Sequence, residues 1–546
     1  MKIALAQINY HIGNFDQNLN KIYEAIDQAK EQSADLVVFA ELAISGYPPR
    51  DFLEFDDYIE KCWSAIESIA KKTENLAVIV GTPSRNKSIK GKRLYNSAVF
   101  IQDKKIVSIH HKGLLPTYDI FDEYRYFEPA TEFNIINYKG RKIALSICED
   151  LWNVEDNPLY TVNPMDELMK YNPDVMINIA ASPFHYSQSI ERKETLLKNV
   201  NKYKLPLVYV NHVGAQTELL FDGGSLVYNA KGDLVLENKY FEEDLKVIDL
   251  EDVLAFKSEK IVSEPKSKIE LIYEGLVMGV RNYFQKLGFE KAILGLSGGI
   301  DSAVTAAIAA DALGAENVTG ILLPSKFSSD HSVADAKQLA INLGCEHDLI
   351  PIEELFRSVE KSLSSQFKDL PFDLAEENIQ ARIRGVILMA LSNKFGSILL
   401  NTSNKSESAV GYGTLYGDMN GGISVLGDVY KTEVFELARF MNRNKEIIPE
   451  NTITKPPSAE LRPDQKDSDS LPDYEVLDQI LFQYIELRKG PADLKKMGFD
   501  EVLVDRVLKM VNTTEYKRYQ TPPILRVSPK AFGMGRRMPI VAKYLS

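Results

Sequence analysis

Residues 291–313 read KAILGLSGGIDSAVTAAIAADAL. A short apolar run ends in a glycine-rich turn and passes at once into an alanine-rich helix, the strand–turn–helix order in which a backbone can cradle an anion. Gly298 and Gly299 put no side chains over the turn, so main-chain N–H groups and the positive helix end stay open to a phosphate, while Ser297 and Ser302 add hydroxyl donors. No lysine follows as in GxxxxGK[ST], and the spacing is not GxGxxG, which sets aside the ordinary P-loop and the dinucleotide fingerprint. Two glycines alone would mean only a tight turn; the serines and Asp301 argue for more. A carboxylate beside a phosphate cradle repels its ligand unless a cation lies between them, so Asp301 points to Mg2+ shared with phosphate oxygens.

Around this loop the second half alternates strand and helix. The runs NVTGILLP, HDLIPI and SILLNTS are separated by helical patterns that start at Asp330 and span residues 378–394. That order predicts a doubly wound parallel sheet with helices on both faces, which binds ligands beyond the carboxyl ends of its strands. SGGIDS is similar to the pyrophosphate loop of the N-type ATP pyrophosphatases, which cleave ATP between the α- and β-phosphates and adenylate an acceptor. LLPSKFSSDHSVADA (322–336), EENIQARIRG (376–385), NTSNKSE (401–407), GDMNGGISVLGDVYKTEV (417–434) and EYKRYQTPP (515–523) resemble, within that group, the NAD synthetases, across nearly the whole second half.

The resemblance implies an adenine nucleotide alpha hydrolase-like fold. It implies that ATP, a co-substrate, is bound by Gly295, Leu296, Ser297, Gly298, Gly299, Ile300, Asp301 and Ser302 together with Thr402. Mg2+ would sit on Asp301 and Glu407, and deamido-NAD would meet Asn378, Glu407 and Lys517. Lys517, Arg518, Arg526, Lys530, Arg536 and Arg537 form a basic cluster in the tail, which reads either as a solvated face or as the counter-charge to a pyrophosphate.

The first half is built differently. The runs KIALAQI, DLVVFAEL, LAVIVGT, NSAVFIQ, KIVSIHH, KIALSIC, DVMINIAAS and PLVYVNH read as strands, and Ile22, Ala25, Ile26 and Ala29 lay one apolar stripe along a helix. Polar turns at residues 102–105 and 229–233 predict hairpins, so an α/β sandwich with mixed pairing is expected. Cys148 follows the strand RKIALSI directly, Glu41 ends DLVVFAE and Lys112 ends KIVSIHHK, so three chemically capable side chains come from strand ends, where they can converge. A lone cysteine at a strand end is usually a small core residue, which is how Cys62 and Cys345 read. His110 and His111, adjacent on a strand, point to opposite faces and read as one packed and one solvated.

With FAELAISGYPP, HKGLLPTYDIFDEYRYF and ICEDLW, the Glu41, Lys112, Cys148 set resembles the nitrilase superfamily of carbon–nitrogen hydrolases, and especially the glutaminase domain of glutamine-dependent NAD synthetases. This implies an αββα sandwich with a Glu-Lys-Cys triad: Glu41 as general base and acid, Cys148 as nucleophile on the glutamine amide, Lys112 as counter-charge to the oxyanion. Tyr118, Glu149 and Ser182 would position glutamine. The family has Lys or Arg six residues past Ser182; Gln188 stands here, with Arg192 as a possible substitute.

The chain has 546 residues with 64 Lys and Arg against 77 Asp and Glu, a formal charge of −13, which speaks against a nucleic acid partner. No apolar stretch approaches the roughly 18 residues of a membrane span, and the N-terminus does not read as a signal peptide. Three cysteines without a CxxC pair indicate neither a disulfide framework nor a zinc site, so a cytoplasmic location is expected. The charged, Pro265-containing stretch divides the chain into residues 1–250, a glutaminase domain, a linker over 251–268, and 269–546, an ATP-dependent synthetase domain with a basic tail. The expected reaction makes NAD, AMP, pyrophosphate and glutamate from deamido-NAD, ATP and glutamine in a homo-oligomer, without a redox cofactor. Another acceptor, as in GMP synthetases, an amidase fused to a nucleotide sensor, and a non-catalytic scaffold are the alternatives.

Overall fold

The computed structural model describes residues 1–88, 90–154, 158–368, 370–463 and 465–545. The chain divides into two compact units, Met1–Pro265 and Lys266–Ser546. The strands of the first unit are β1 (Lys2–Gln7), β2 (Leu36–Val38), β3 (Ala77–Arg85), β4 (Leu94–Gln102), β5 (Lys105–His111), β6 (Ile136–Tyr138), β7 (Arg141–Ile147), β8 (Val175–Ala180), β9 (Leu207–Asn211), β10 (Val213–Gln216), β11 (Leu219–Asp222), β12 (Leu226–Tyr228), β13 (Leu234–Glu237) and β14 (Asp244–Asp249). They form two six-stranded sheets, β14-β1-β2-β3-β4-β5 and β13-β12-β9-β8-β7-β6, and a separate β10-β11 ribbon.

Alternation of apolar residues turns one face of each sheet inward, and the two faces fuse into one core. Ile3, Leu5, Val38, Ile79 and Phe100 from the first sheet and Ile143, Leu145, Val175, Ile177 and Val208 from the second are buried together. Helix α1 (Phe15–Glu31) buries Ile22, Ala25, Ile26 and Ala29, the stripe read from the sequence, and packs on α2 (Asp56–Lys72), which lies against β3. On the second sheet, α3 (Pro164–Met169) packs on β7 and α4 (Gln188–Tyr203) on the turn that follows β7. The result is the αββα sandwich. Both expected hairpins form; in the β4–β5 turn Asp103 and Lys104 have φ of 48° and 62°, the left-handed pair that matches strand twist.

Two details differ from the sequence reading. His111 is half-buried rather than solvated, because it stacks on Tyr95 and bonds Ser97 at 2.7 Å, and burial lowers both His110 and His111 to about 4. The stretch after residue 250 begins as helix α5 (Leu250–Leu254), whose Leu250 and Val253 belong to the core of the first unit.

The second unit carries α6 (Lys268–Leu287), β15 (Ala292–Gly295), α7 (Ile300–Leu313), β16 (Val318–Leu322), α8 (Asp330–Leu343), β17 (Glu346–Leu349), α9 (Glu353–Phe367), α10 (Leu374–Phe395), β18 (Ile398–Asn401), α11 (Lys405–Val410), β19 (Ile423–Ser424), α12 (Lys431–Met441), α13 (Glu450–Thr454) and α14 (Tyr474–Ile485). Its sheet runs β17-β16-β15-β18-β19 and is parallel throughout. Strand order reverses between β15 and β18, so a crevice opens at their carboxyl ends, the place where such sheets bind ligands. No helix among the described residues is long and apolar enough to cross a membrane.

One buried ion cluster ties α11 to the rest of this unit. Lys405 has no exposure and donates to Glu486 at 2.8 Å and Ser528 at 2.7 Å, with Asp428 at 2.9 Å. Replacing Lys405 by methionine leaves two buried carboxylates without their cation, a loss expected to cost about 3–5 kcal/mol. Denaturant unfolding with hydrogen exchange read at α11 and α14 checks this; wild-type protection at both helices would refute it.

Candidate active sites

In the first unit, β2, β5 and β7 end at one side of the sandwich, and each delivers a residue just past its end. Glu41, Lys112 and Cys148 are all buried, at 1%, 0% and 7% exposure. The Lys112 ammonium donates to Glu41 Oε1 at 2.7 Å and to both oxygens of Glu123 at 2.9 and 2.8 Å. Glu41 is fixed further by Asn96 Nδ2 at 2.7 Å and the backbone N–H of Ala181 at 3.0 Å. Burial opposes the lysine charge, yet Glu123 and Glu41 outweigh it and hold the ammonium well above its usual range. Glu123, which also accepts from Tyr47 at 2.9 Å, is pushed up to about 7 by burial against the pull of Lys112.

Cys148 opens a 3-10 turn, Cys148–Leu151, with φ of +44°, a left-handed conformation that presents its side chain at a sharp strand-to-helix bend. Burial raises its thiol well above the ordinary range; Glu41 raises it further, Lys112 lowers it, and Glu123 and Glu149 add to the rise. It is a thiol beside a carboxylate and an ammonium, a set able to move its proton and to meet a developing oxyanion with a positive charge.

The expected glutamine contacts pair off nearby. Tyr118, 42% exposed, donates to Glu149 at 2.9 Å, and Tyr160 donates to the same carboxylate at 3.0 Å. Gln188 Nε2 donates to Ser182 Oγ at 3.2 Å, and Ser182 is anchored through its N–H to Asn211 at 2.9 Å. Arg192 is committed elsewhere: its guanidinium grips Asp222 at 2.9 and 2.7 Å in the interior. Of the two candidates, only Gln188 bonds to Ser182. Glu123, Asn96 and Tyr160 were not singled out from the sequence. Glu123 lies inside the quoted text HKGLLPTYDIFDEYRYF, but nothing distinguishes it there from Asp119 and Asp122.

In the second unit a cavity of about 610 Å³ lies at the reversal of strand order. Gly295, Leu296, Ser297, Gly299, Ile300, Asp301 and Ser302 line it from β15, and Thr402 and Glu407 from beyond β18. Gly298 does not line it: with φ of +80°, a Cβ there would come within 2.2 Å of the Ser332 carbonyl oxygen, so this glycine lets the loop press against α8. Asn378 and Lys517 are also outside the lining. Asn378 accepts from Thr414 at 2.7 Å, and Lys517 donates to the carbonyls of Gly411 and Gly413, each at 2.8 Å.

Lys431, at the start of α12, stands between the two carboxylates expected to hold a metal. Its ammonium is 2.5 Å from Asp301 and 3.4 Å from Glu407, and Asn404 donates to the other oxygen of Asp301 at 2.9 Å. Burial and Asp301 push Glu407 up to about 8, although Lys431 pulls it down. A carboxyl held that high is short of positive charge, and a pair of oxygen donors suits a hard cation that completes its shell with phosphate oxygens and water. No group of three or more His, Cys, Asp or Glu gathers as a metal site among the described residues, so phosphate would have to supply part of any such shell. Asp478 on α14 accepts from Ser406 at 2.5 Å and from the N–H and hydroxyl of Thr432 at 2.9 Å each, which binds the helix of Glu407 to that of Lys431.

The basic tail is largely structural. Arg518 pairs with Glu515 at 2.7 Å and caps the carbonyls of Ser408 and Ala409, Arg526 donates to the carbonyls of Ser528 and Pro529, and Arg536 joins Glu515 at 2.8 Å. These guanidiniums hold the C-terminal segment together rather than forming an open cationic face.

Family models match the two units in turn: carbon-nitrogen hydrolase over residues 2–256 and NAD synthase over 272–521. The glutamine-dependent NAD(+) synthetase of Synechocystis is 46% identical over 99% of both chains. That of Thermotoga maritima is 40% identical over 100% of this chain and 99% of its own. A solved glutamine-dependent NAD+ synthetase from Acinetobacter baumannii, in complex with adenosine diphosphate, is 40% identical with a TM-score of 0.79 over 99% of this chain and 98% of that one. Likeness of this degree along both chains shows that this chain belongs to the glutamine-dependent NAD(+) synthetases.

Proposed function

We propose that Glu41, Lys112 and Cys148 hydrolyse glutamine in the first unit and that the Gly295–Ser302 loop, Asp301, Glu407 and Lys431 turn ATP against deamido-NAD in the second. The observation that carries the first assignment is the buried, direct 2.7 Å contact of Lys112 with Glu41 beside the Cys148 turn. Glu41 takes the thiol proton as Cys148 attacks the glutamine side-chain amide carbon. The oxyanion forms against the Lys112 ammonium, and its collapse to a thioester expels ammonia, which receives its third hydrogen from Glu41. Water, deprotonated by Glu41, then cleaves the thioester to glutamate and restores the thiol. Tyr118, Glu149, Ser182 and Gln188 hold the amino-acid end of glutamine.

In the second unit the nicotinate carboxylate of deamido-NAD attacks the α-phosphorus of ATP and pyrophosphate leaves. Ammonia adds to the resulting acyl-adenylate, and AMP departs with the carbonyl restored as the amide of NAD. Main-chain N–H groups of the loop, its serine hydroxyls and the Lys431 ammonium meet the phosphates. Mg2+ fits on Asp301 and Glu407, where it would neutralise phosphate charge as the leaving group departs. Thr402 contacts ATP, and Asn378, Glu407 and Lys517 serve the deamido-NAD side. A glutaminase coupled to an adenylating unit supplies unprotonated ammonia to an intermediate that water would otherwise destroy.

Two substitutions separate the half-reactions. Cys148→Ala is expected to lower glutamine-supported NAD formation by at least about 10³-fold and to leave ammonium-supported formation within about 2-fold. Equal loss of both in a folded chain would sink the division of labour. Lys431→Met is expected to do the converse, reducing NAD formation from either nitrogen source about 10²–10³-fold while glutamine hydrolysis persists. Pyrophosphate release measured beside glutamate release gives both readings.

A further inference from the structure

Between the lysine and the cysteine of the glutaminase site lies a fourth carboxylate, beyond Glu41, Glu123 and Glu149, whose hydrogen bonds go to the main chain. Asp150, two residues past Cys148, is 2% exposed and sits within the 3-10 turn. Its Oδ1 accepts the backbone N–H groups of Gly113 and Leu114, each at 2.9 Å, and its Oδ2 accepts the N–H of Ile147 at 3.0 Å. The first two follow Lys112 directly and the third immediately precedes Cys148. One buried side chain therefore joins the main chain beyond the lysine to the main chain before the nucleophile.

The remaining anchors of Lys112 belong to other segments. Its N–H donates to the Asn96 carbonyl at 2.8 Å, and its own carbonyl accepts from Ala130 at 2.9 Å. Neither refers to the cysteine. The Cys148 backbone is in the left-handed region, which a non-glycine residue keeps only where its surroundings enforce it. The Ile147 bond to Asp150 closes that bend from within. Burial pushes the Asp150 carboxyl up to about 7 while the three N–H groups and Lys112 pull it down, and three directional bonds converging on one side chain suit it to fixing two segments in register.

We propose that Asp150 is a positioning residue of the glutaminase reaction, which sets the Lys112 ammonium against the Cys148 sulfur without contacting substrate. This rests on the Glu41, Lys112, Cys148 reading above. An asparagine at position 150 keeps the shape but turns an amide NH2 toward at least one of the three N–H donors, so a bond becomes a repulsion and the two segments part. The lysine then stabilises thiolate and oxyanion less well, whereas Tyr118, Glu149, Ser182 and Gln188 keep their own bonds.

The test uses the full chain carrying Asp150→Asn. Misplacement of about 1 Å is enough to lower kcat for glutamine hydrolysis roughly 10²-fold, with KM for glutamine changed less than about 3-fold. The pH at which iodoacetamide alkylates Cys148 at half its maximal rate should rise by about one unit as the ammonium withdraws. Ammonium-supported NAD formation should hold. Unchanged kcat and alkylation profile would overturn the proposal, as would a rise in KM that accounts for the whole loss. Asp150→Ser, which retains one acceptor, is expected to fall between wild type and Asp150→Asn, and failure of both variants to fold would assign Asp150 a structural role instead. Failure of the underlying triad shows separately, as glutamine hydrolysis that survives in Cys148→Ala.

Discussion

A lysine ammonium removed from water is tolerable only where carboxylates and carbonyls replace its hydration. Both units are arranged around that requirement. Lys112 sits between Glu41 and Glu123, and Lys431 between Asp301 and Glu407. Each cluster has two carboxylates to one ammonium, and in each a carboxyl is raised, Glu123 to about 7 and Glu407 to about 8. In the first unit that surplus of negative charge sits beside the Cys148 thiol. In the second it faces a cavity suited to phosphates, where further positive charge would complete the balance. Lys405 shows that burial alone does not make a site: Asp428, Glu486, Ser528 and the Lys530 carbonyl surround its ammonium, and it does not line the cavity of the second unit.

The fold was legible because periodicity and turn chemistry agree along most of the chain. The α1 stripe, the β4–β5 turn and the strand–loop–helix at residues 291–313 each follow from local pattern, and the parallel order of the second sheet follows from alternation. What pattern could not supply was the inward turn of particular polar residues. Glu123 is one acid among several on an irregular segment, and it enters the interior because a 3-10 turn, Glu123–Arg125, aims it at Lys112. Lys431 lies within GDMNGGISVLGDVYKTEV, a stretch that resembles the family, but only packing places its amine between two carboxylates from other helices. The arginines of the tail were open to two readings for a related reason: charge density along a sequence does not reveal that Glu515 and several carbonyls already use part of it.

The two glycine and cysteine turns solve related problems in different ways. At Gly298 the chain has no side chain, and the close approach of Ser332 sets the loop. At Cys148 the chain must carry a side chain through a left-handed bend, and the Ile147 N–H bond donated to Asp150 and the packing of α4 hold it there. In both, a left-handed bend at a strand end turns the chain sharply at the rim of a sheet.

The resting state of Cys148 has a consequence for the survival of the protein. Peroxides oxidise thiolates far faster than thiols, and solvent access governs the rest. Cys148, 7% exposed and with its thiol raised by burial and by Glu41, Glu123 and Glu149 against the pull of Lys112, offers little to an oxidant. Burial and the carboxylates around Cys148 thus guard its sulfur from sulfenic acid formation as well as raising its thiol.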